Sequence, residues 1–161
     1  MTISVGDRLP DVTFKVMTDE GLEDMTTSDV FAGKKVAIFA VPGAFTPTCQ
    51  AMHVPNFLGS LDAFREKGVD TVACISVNDA FVLKEWAKKT AADGKILFLA
   101  DWNADFTVAA GLDFDASGNG LGTRSKRYGM LVDDGVVKAL NIEEAPKTVD
   151  VSSAEKLLEA L

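Results

Sequence analysis

The chain offers few starting points for chemistry: two cysteines, Cys49 and Cys74, and a single histidine, His53. Two cysteines and one histidine do not make a ligand set, so no metal centre is expected. A cysteine acts as a nucleophile through its thiolate. Cys49 closes the run Pro42-Gly43-Ala44-Phe45-Thr46-Pro47-Thr48-Cys49. Thr46 stands three residues before it, so on a turning backbone its hydroxyl can face the sulfur and both accept from and donate to an O–H group. That pair suits attack on an O–O bond: the thiolate takes one oxygen while the other departs with charge, and donors must strengthen as that charge grows.

Ionisation alone does not carry such a reaction. A free thiol is a few per cent ionised at pH 7, so complete ionisation gains roughly thirtyfold, or about 2 kcal/mol. A cation near the sulfur is the missing part. Arg127 is the candidate, because its planar fork can hold both sulfur and a substrate oxygen. Arg124, Lys126 and Arg65 compete, since distance along the chain does not decide among them. His53, one turn after Cys49, reads as a satisfied structural histidine, with a contribution of positive charge as the alternative. Cys74, within Val72-Ala73-Cys74-Ile75, reads as a small buried hydrophobe. A bridge from it to Cys49 would need Cα atoms within about 7 Å, and hence unfolding around Cys49.

These residues need elements to hold them. Val12 to Met17 reads as an edge strand, and Ser28 or Asp29 as the cap of a short turn before Gly33. Lys35 to Val41 is a buried strand by its β-branched and aromatic run, stopped by Pro42-Gly43. A long helix is predicted from about Pro47 to Lys67, with Gly68 as its stop and a kink at Pro55. Cys49 then lies in its first turn, where unpartnered N–H groups and the helix dipole favour an anion. Pro47 suits the first helical position, since it gives up an N–H that would be unpaired there.

Thr71 to Val77 is a second buried strand, followed by a helix starting at Asn78-Asp79. Ile96 to Ala100 is a third strand, followed by a short helix over Asp105 to Ala110. Gly111 to Gly122 reads as a loop; its spaced glycines lack the strand-to-helix turn of a dinucleotide site. Arg127 to Val132 and Val136 to Leu140 flank Asp133-Asp134-Gly135, a hairpin signal. Ser152 or Ser153 caps a last helix. This order predicts a single α/β domain over residues 1–161: a thioredoxin-like fold, with a central mixed sheet flanked by helices.

Composition sets the outer limits. The 161 residues carry a net charge of −8 with 47% hydrophobic and 25% charged residues, as in an ordinary globular chain. Excess negative charge disfavours nucleic acid and anionic membranes as partners. The first residues lack a secretory pattern, and Val36 to Val41 is too short to span a bilayer, so a cytoplasmic protein with free thiols is expected. The acidic groups Asp19-Glu20, Asp113-Asp115 and Glu143-Glu144 read as solvated surface. Phe45, Phe81 and Phe114 are candidates for an apolar mouth or a contact with a second copy, with packing in the core as the alternative.

The run from Pro42 to Cys49 resembles the P-x-x-x-T-x-x-C signature of the peroxiredoxins, most closely their type II subgroup. Further matches lie in Ser76-Val77-Asn78-Asp79-Ala80-Phe81, Phe98-Leu99-Ala100-Asp101, Ser125-Lys126-Arg127-Tyr128 and the stretch from Asp133 to Asn141. The resemblance implies that Cys49 is oxidised to sulfenic acid by hydrogen peroxide or an organic hydroperoxide. Pro42 would shield it, Thr46 would bond the substrate and Arg127 would pair with the thiolate. It also implies a homodimer and no metal or organic cofactor.

One member of the subgroup has a resolving cysteine near the C-terminus; Val149 to Ser153 contains none here. Some plant relatives carry a cysteine matching Cys74, which keeps that thiol open as a resolving partner. An outside thiol, glutathione with glutaredoxin or thioredoxin directly, is the expected reductant. A thioredoxin-like disulfide reductase is disfavoured because Met52 occupies the second position of a C-x-x-C pair. A redox sensor in which Cys49 oxidation alters a partner contact is the third reading.

Overall fold

The computed structural model describes residues 1–145 and 147–161, and all of their side chains but that of Gln50. The first strand, β1 (Thr13–Thr18), turns back through Asp19-Glu20 into β2 (Gly21–Thr26), and helix α1 (Thr27–Phe31) follows. Strands β3 (Lys35–Val41), β4 (Thr71–Ser76) and β5 (Leu97–Ala100) run parallel, with α4 (Ala80–Lys89) between the last two. Between β3 and β4 lie a π-helical turn (Cys49–His53), α2 (Val54–Leu58) and α3 (Leu61–Glu66). After β5 come α5 (Asp105–Ala109), β6 (Asp113–Asp115), β7 (Thr123–Ser125), the hairpin β8 (Tyr128–Asp133) and β9 (Val136–Ile142), and α6 (Ala154–Glu159).

Seven strands form one sheet in the order β2-β1-β5-β4-β3-β8-β9, while β6 and β7 pair separately. This is the thioredoxin-like arrangement expected from the order of elements. Its middle strands are covered on both faces. Along β3, Ala37, Phe39 and Val41 enter one apolar cluster, while Val36, Ile38 and Ala40 enter the other. A strand buried on both sides must be apolar throughout, which is why KVAIFAV was legible as central. Among the described residues no helix is long and apolar enough to cross a membrane.

Several expectations need correction. β1 is not the edge, because β2 lies outside it; the polar sequence GLEDMT hid that strand, whose partner-facing requirement is only backbone pairing. Helix α1 is capped by Thr26 rather than Ser28 or Asp29, with Asp29 returning its carboxylate to the Thr26 N–H as the reciprocal half of a capping box. The long helix carries its expected irregularity at Pro55: Pro55 has no N–H to give to the carbonyl of Ala51, and the turn before it widens so that the Val54 N–H reaches Cys49 O. Its unexpected break falls at Gly59-Ser60, where the Ser60 hydroxyl bonds Asn56 O at 3.1 Å.

The segment over residues 111–122 is not a plain loop: β6 pairs with β7 and sets Phe114 opposite Arg124. The Asp134-Gly135 hairpin stands as expected, with φ of 49° and 78° at the two residues, the left-handed pair that a tight I′ turn requires.

Candidate active site

Cys49 lies in the first turn after Pro47, under the end of β3, and has no exposed surface. Two donors converge on its sulfur. Thr46 Oγ1 lies 2.8 Å from Sγ, and Arg127 Nη2 donates to Sγ from 2.9 Å. Arg127, expected at the start of a strand, lies just before β8 and is fully enclosed. Of the four cations weighed from sequence, it is the one the fold brings to the sulfur. Arg65 pairs with Asp62 on the surface, and Arg124 has a different task.

The Thr46 hydroxyl also lies 2.7 Å from the carbonyl of Gly43. One hydroxyl has one proton, so it cannot donate to both. Donating to Gly43, it turns a lone pair to the sulfur and suits a thiol S–H; rotated, it donates to a thiolate. The site therefore accommodates either protonation state by turning one hydroxyl.

The loop that carries Thr46 is pinned from two sides. Arg124 Nη1 donates to Pro42 O at 3.4 Å and its Nε to Leu121 O at 2.9 Å, tying the β6–β7 ribbon to the loop. A Cβ at Gly43 would stand 2.9 Å from Arg124 Nη1, so a side chain there would push the tip of this arginine aside. Asn78 Oδ1 accepts from Ala44 N at 3.0 Å and from the Ser76 hydroxyl at 2.6 Å. These ties hold Phe45 at φ 64°, a left-handed conformation costing a non-glycine residue about 1 kcal/mol or more. Pro42 itself is buried at the head of the loop.

His53 is a partner of the arginine rather than a source of charge. Arg127 Nη1 donates to His53 Nδ1 at 2.8 Å, and Nε2–H on the far side of the ring donates to Ser152 O at 3.1 Å. Both bonds require the neutral Nε2–H tautomer. Burial and the adjacent Arg127 guanidinium push its pKa down from 6.5 to about 3. The ring is wedged against Phe39 and Phe57, with centroids 4.9 and 5.4 Å away. The sequence could not reveal this, because the spacing of His53 from Cys49 fits packing and positioning equally well.

Cys74 sits in the middle of β4, between Phe39 on β3 and Phe98 on β5, and it too has no exposed surface. Desolvation, with Cys49 nearby, pushes its thiol pKa well up. Both cysteines are free. Phe45 and Phe81 are exposed, 48% and 63%, whereas Phe114 is half-buried on the ribbon. Glu143 departs most from expectation: it is 9% exposed, not solvated surface, and its carboxylate accepts from Asp150 and Ser152. Asn78 and Glu143 are supports of the site that residue types alone did not single out, and Arg124, weighed as a cation for the sulfur, supports the loop instead.

The chain matches the family described as Redoxin over residues 4–158. It is 48% identical over 164 residues to the chloroplastic peroxiredoxin-2E of Arabidopsis thaliana, covering 99% of this chain and 70% of the relative. The crystal structure of reduced Prx3 in complex with H2O2 from Vibrio vulnificus is 49% identical, with a TM-score of 0.93 over 99% of each chain. Peroxiredoxin 5 from Alvinella pompejana is 36% identical, with a TM-score of 0.86 over 98% of this chain and 97% of that one. Agreement of this depth along almost the whole sequence means that the chain belongs to the redoxin family, among its type II peroxiredoxins, and is a thiol peroxidase.

Proposed function

We propose that Cys49 Sγ is the atom that attacks the peroxide, with Thr46 and Arg127 as the catalytic donors and Pro42 as the shield at the head of the loop. One observation carries the reading: a hydroxyl and a guanidinium both lie within hydrogen-bond reach of this sulfur, at 2.8 and 2.9 Å. The thiolate forms an S–O bond as the O–O bond breaks. Sulfur is oxidised by two electrons, and the departing oxygen leaves as hydroxide or alkoxide and takes up a proton. Arg127 and Thr46 supply donors to the charge that grows on that oxygen. Cys49 has no exposed surface, so a peroxide reaches it only when groups around the sulfur shift.

Hydrogen peroxide and organic hydroperoxides are the substrates of this reading, and one domain over residues 1–161 carries it. The Cys49 sulfenic acid condenses with an outside thiol, releasing water, and a second thiol frees Cys49 as the thiol. Glutathione with glutaredoxin, or thioredoxin, supplies those thiols. The chain holds only one other cysteine, and Cys74 is enclosed in the sheet with its thiol held protonated, which supports an external reductant. Free thiols suit the reducing cytoplasm. Phe45, Phe81 and Trp102 are exposed where β3, β4 and β5 end, an apolar edge suited to pairing with a second copy as a homodimer. Light scattering on the eluting protein checks that state.

A stoichiometric pulse of hydrogen peroxide, followed by stopped flow, tests the central claim. Peroxide disappears rapidly with the wild type and with Cys74→Ser, and no faster than with free cysteine for Cys49→Ser. Equal consumption by Cys49→Ser would end the assignment.

A further inference from the structure

The donors at Cys49 are only as well placed as the groups behind them. Arg127 has a long side chain with many rotamers, so its aim at the sulfur depends on a second anchor. His53 provides one, and His53 depends in turn on the carbonyl of Ser152. That carbonyl belongs to the chain leading into α6, and the group that shapes this stretch is Glu143. Its Oε2 accepts from Ser152 N at 2.8 Å, from the Ser152 hydroxyl at 2.6 Å and from Asp150 N at 2.6 Å; its Oε1 lies 3.3 Å from the Thr148 hydroxyl, whose single proton Ala145 O also faces at 3.1 Å. The backbone N–H of Glu143 donates to Arg127 O at 2.9 Å.

The bonds therefore close a ring. Arg127 side chain, His53, Ser152 carbonyl, Ser152 N–H, Glu143 carboxylate, Glu143 N–H and Arg127 carbonyl follow one another without a gap. A buried carboxylate taking several donors gives strong, charge-assisted bonds, and such networks hold their members more tightly than separate pairs do. Gly129, two residues beyond Arg127, shows how close the packing is: a Cβ there would stand 3.1 Å from Ser152 O and 3.2 Å from Leu157 Cγ.

We propose that Glu143 is a positioning residue for peroxide attack, fixing the guanidinium of Arg127 on the Cys49 sulfur through Ser152 and His53. The proposal rests on Cys49 as the attacking sulfur. It differs from a role in loop folding alone, which would leave the rate untouched while the protein remains folded.

The test exploits the single histidine of the chain, whose ring signals in a 15N-histidine sample need no assignment. In the wild type the Hε2 proton, bonded to Ser152 O, is held from exchange and visible. Glu143→Ala removes that signal and slows peroxide loss by about tenfold to a hundredfold, the range found when outer partners of a site are removed. Glu143→Gln restores both to within about threefold, because its amide oxygen can take the Ser152 and Asp150 donors while its NH2 faces Thr148. Gly129→Ala, which leaves Glu143 intact, pushes on the Ser152 carbonyl and weakens both readouts together.

A folded Glu143→Ala that keeps the wild-type rate overturns the proposal, as does a slowed variant with an unchanged Hε2 signal. If Glu143→Ala does not fold, a Gly129→Ala protein with unchanged rate and signal overturns it instead. Cys49→Ser separates the two claims. Continued peroxide loss in that variant removes the assignment of Cys49, whereas its inactivity beside a fast, folded Glu143→Ala removes only the role of Glu143.

Discussion

Cys49 and Cys74 are buried to the same degree and belong to the same apolar cluster, yet their surroundings differ in kind. The Cys49 sulfur has a hydroxyl and a guanidinium within 2.9 Å. No hydrogen bond reaches the Cys74 sulfur among the described residues, and burial pushes its thiol pKa up. Burial is thus neutral about chemistry. What separates a nucleophile from packing material is whether polar groups accompany the sulfur into the interior. Bringing a guanidinium into a core is costly unless its donors are matched. Here His53 and Cys49 each accept one of its N–H groups.

The sharpest way to break the contrast is to make the Cys49 site resemble that of Cys74. Arg127→Gln removes the cation and leaves a neutral group of similar length. Peroxide consumption should fall about a hundredfold to a thousandfold, the scale on which one aligned donor to a growing charge is worth. Stopped-flow rates read it, and a loss under threefold would remove Arg127 from the site. Arg127→Lys should recover little, because a point charge cannot bond Cys49 and His53 in one plane. Thr46→Val, equal in shape but without the hydroxyl, should slow the same step about tenfold to a hundredfold, whereas Thr46→Ser stays within a few fold.

The contrast also explains how far the sequence could be read. Cys49 and Thr46 were legible because three-residue spacing on a turning backbone is local geometry. The central strands were legible because two-sided burial forces an apolar run. Arg127 required a topological fact, that β8 runs antiparallel beside β3 and delivers its first residues under the Cys49 turn. His53 fits its reading as a satisfied structural histidine, but its partners Arg127 and Ser152 lie far along the chain and were not legible; Glu143 escaped because its significance lies in a single turn of loop. Glu143 beside Glu144 looks like any exposed acidic pair until the loop folds over one of them. β2 escaped for the opposite reason: an outer strand can be as polar as a loop.

His53 links this architecture to stability, and its pH dependence has a definite sign. In the unfolded chain it takes up a proton near 6.5, in the folded protein only near 3. Between these values the unfolded state holds more protons, so the neutral ring's contribution is complete above about 6.5 and is lost as pH falls towards 3. At about 1.4 kcal/mol per unit, stability should drop by about 2 kcal/mol between pH 7 and 5. Urea unfolding across that range measures it. No other histidine is present, so His53→Gln should flatten the curve above pH 5; an unchanged slope would mean that the ring is not held neutral.

The smallest effects belong to Cys74, and they sharpen the contrast from its inert side. If this thiol serves only to fill space between Phe39 and Phe98, Cys74→Ala should cost about 1 kcal/mol for the small void and leave peroxide consumption within twofold. Cys74→Ser keeps the volume but buries a hydroxyl among apolar neighbours, and should cost more, about 1–3 kcal/mol where no acceptor is in reach. The order of the two penalties is diagnostic, because a thiol used as a hydrogen-bonding or redox partner would be better replaced by serine than by alanine. Turnover with glutaredoxin or thioredoxin completes the comparison. An outside thiol that resolves Cys49 predicts equal turnover for Cys74→Ala and wild type, and a collapse of turnover in Cys74→Ala would instead make the two cysteines partners.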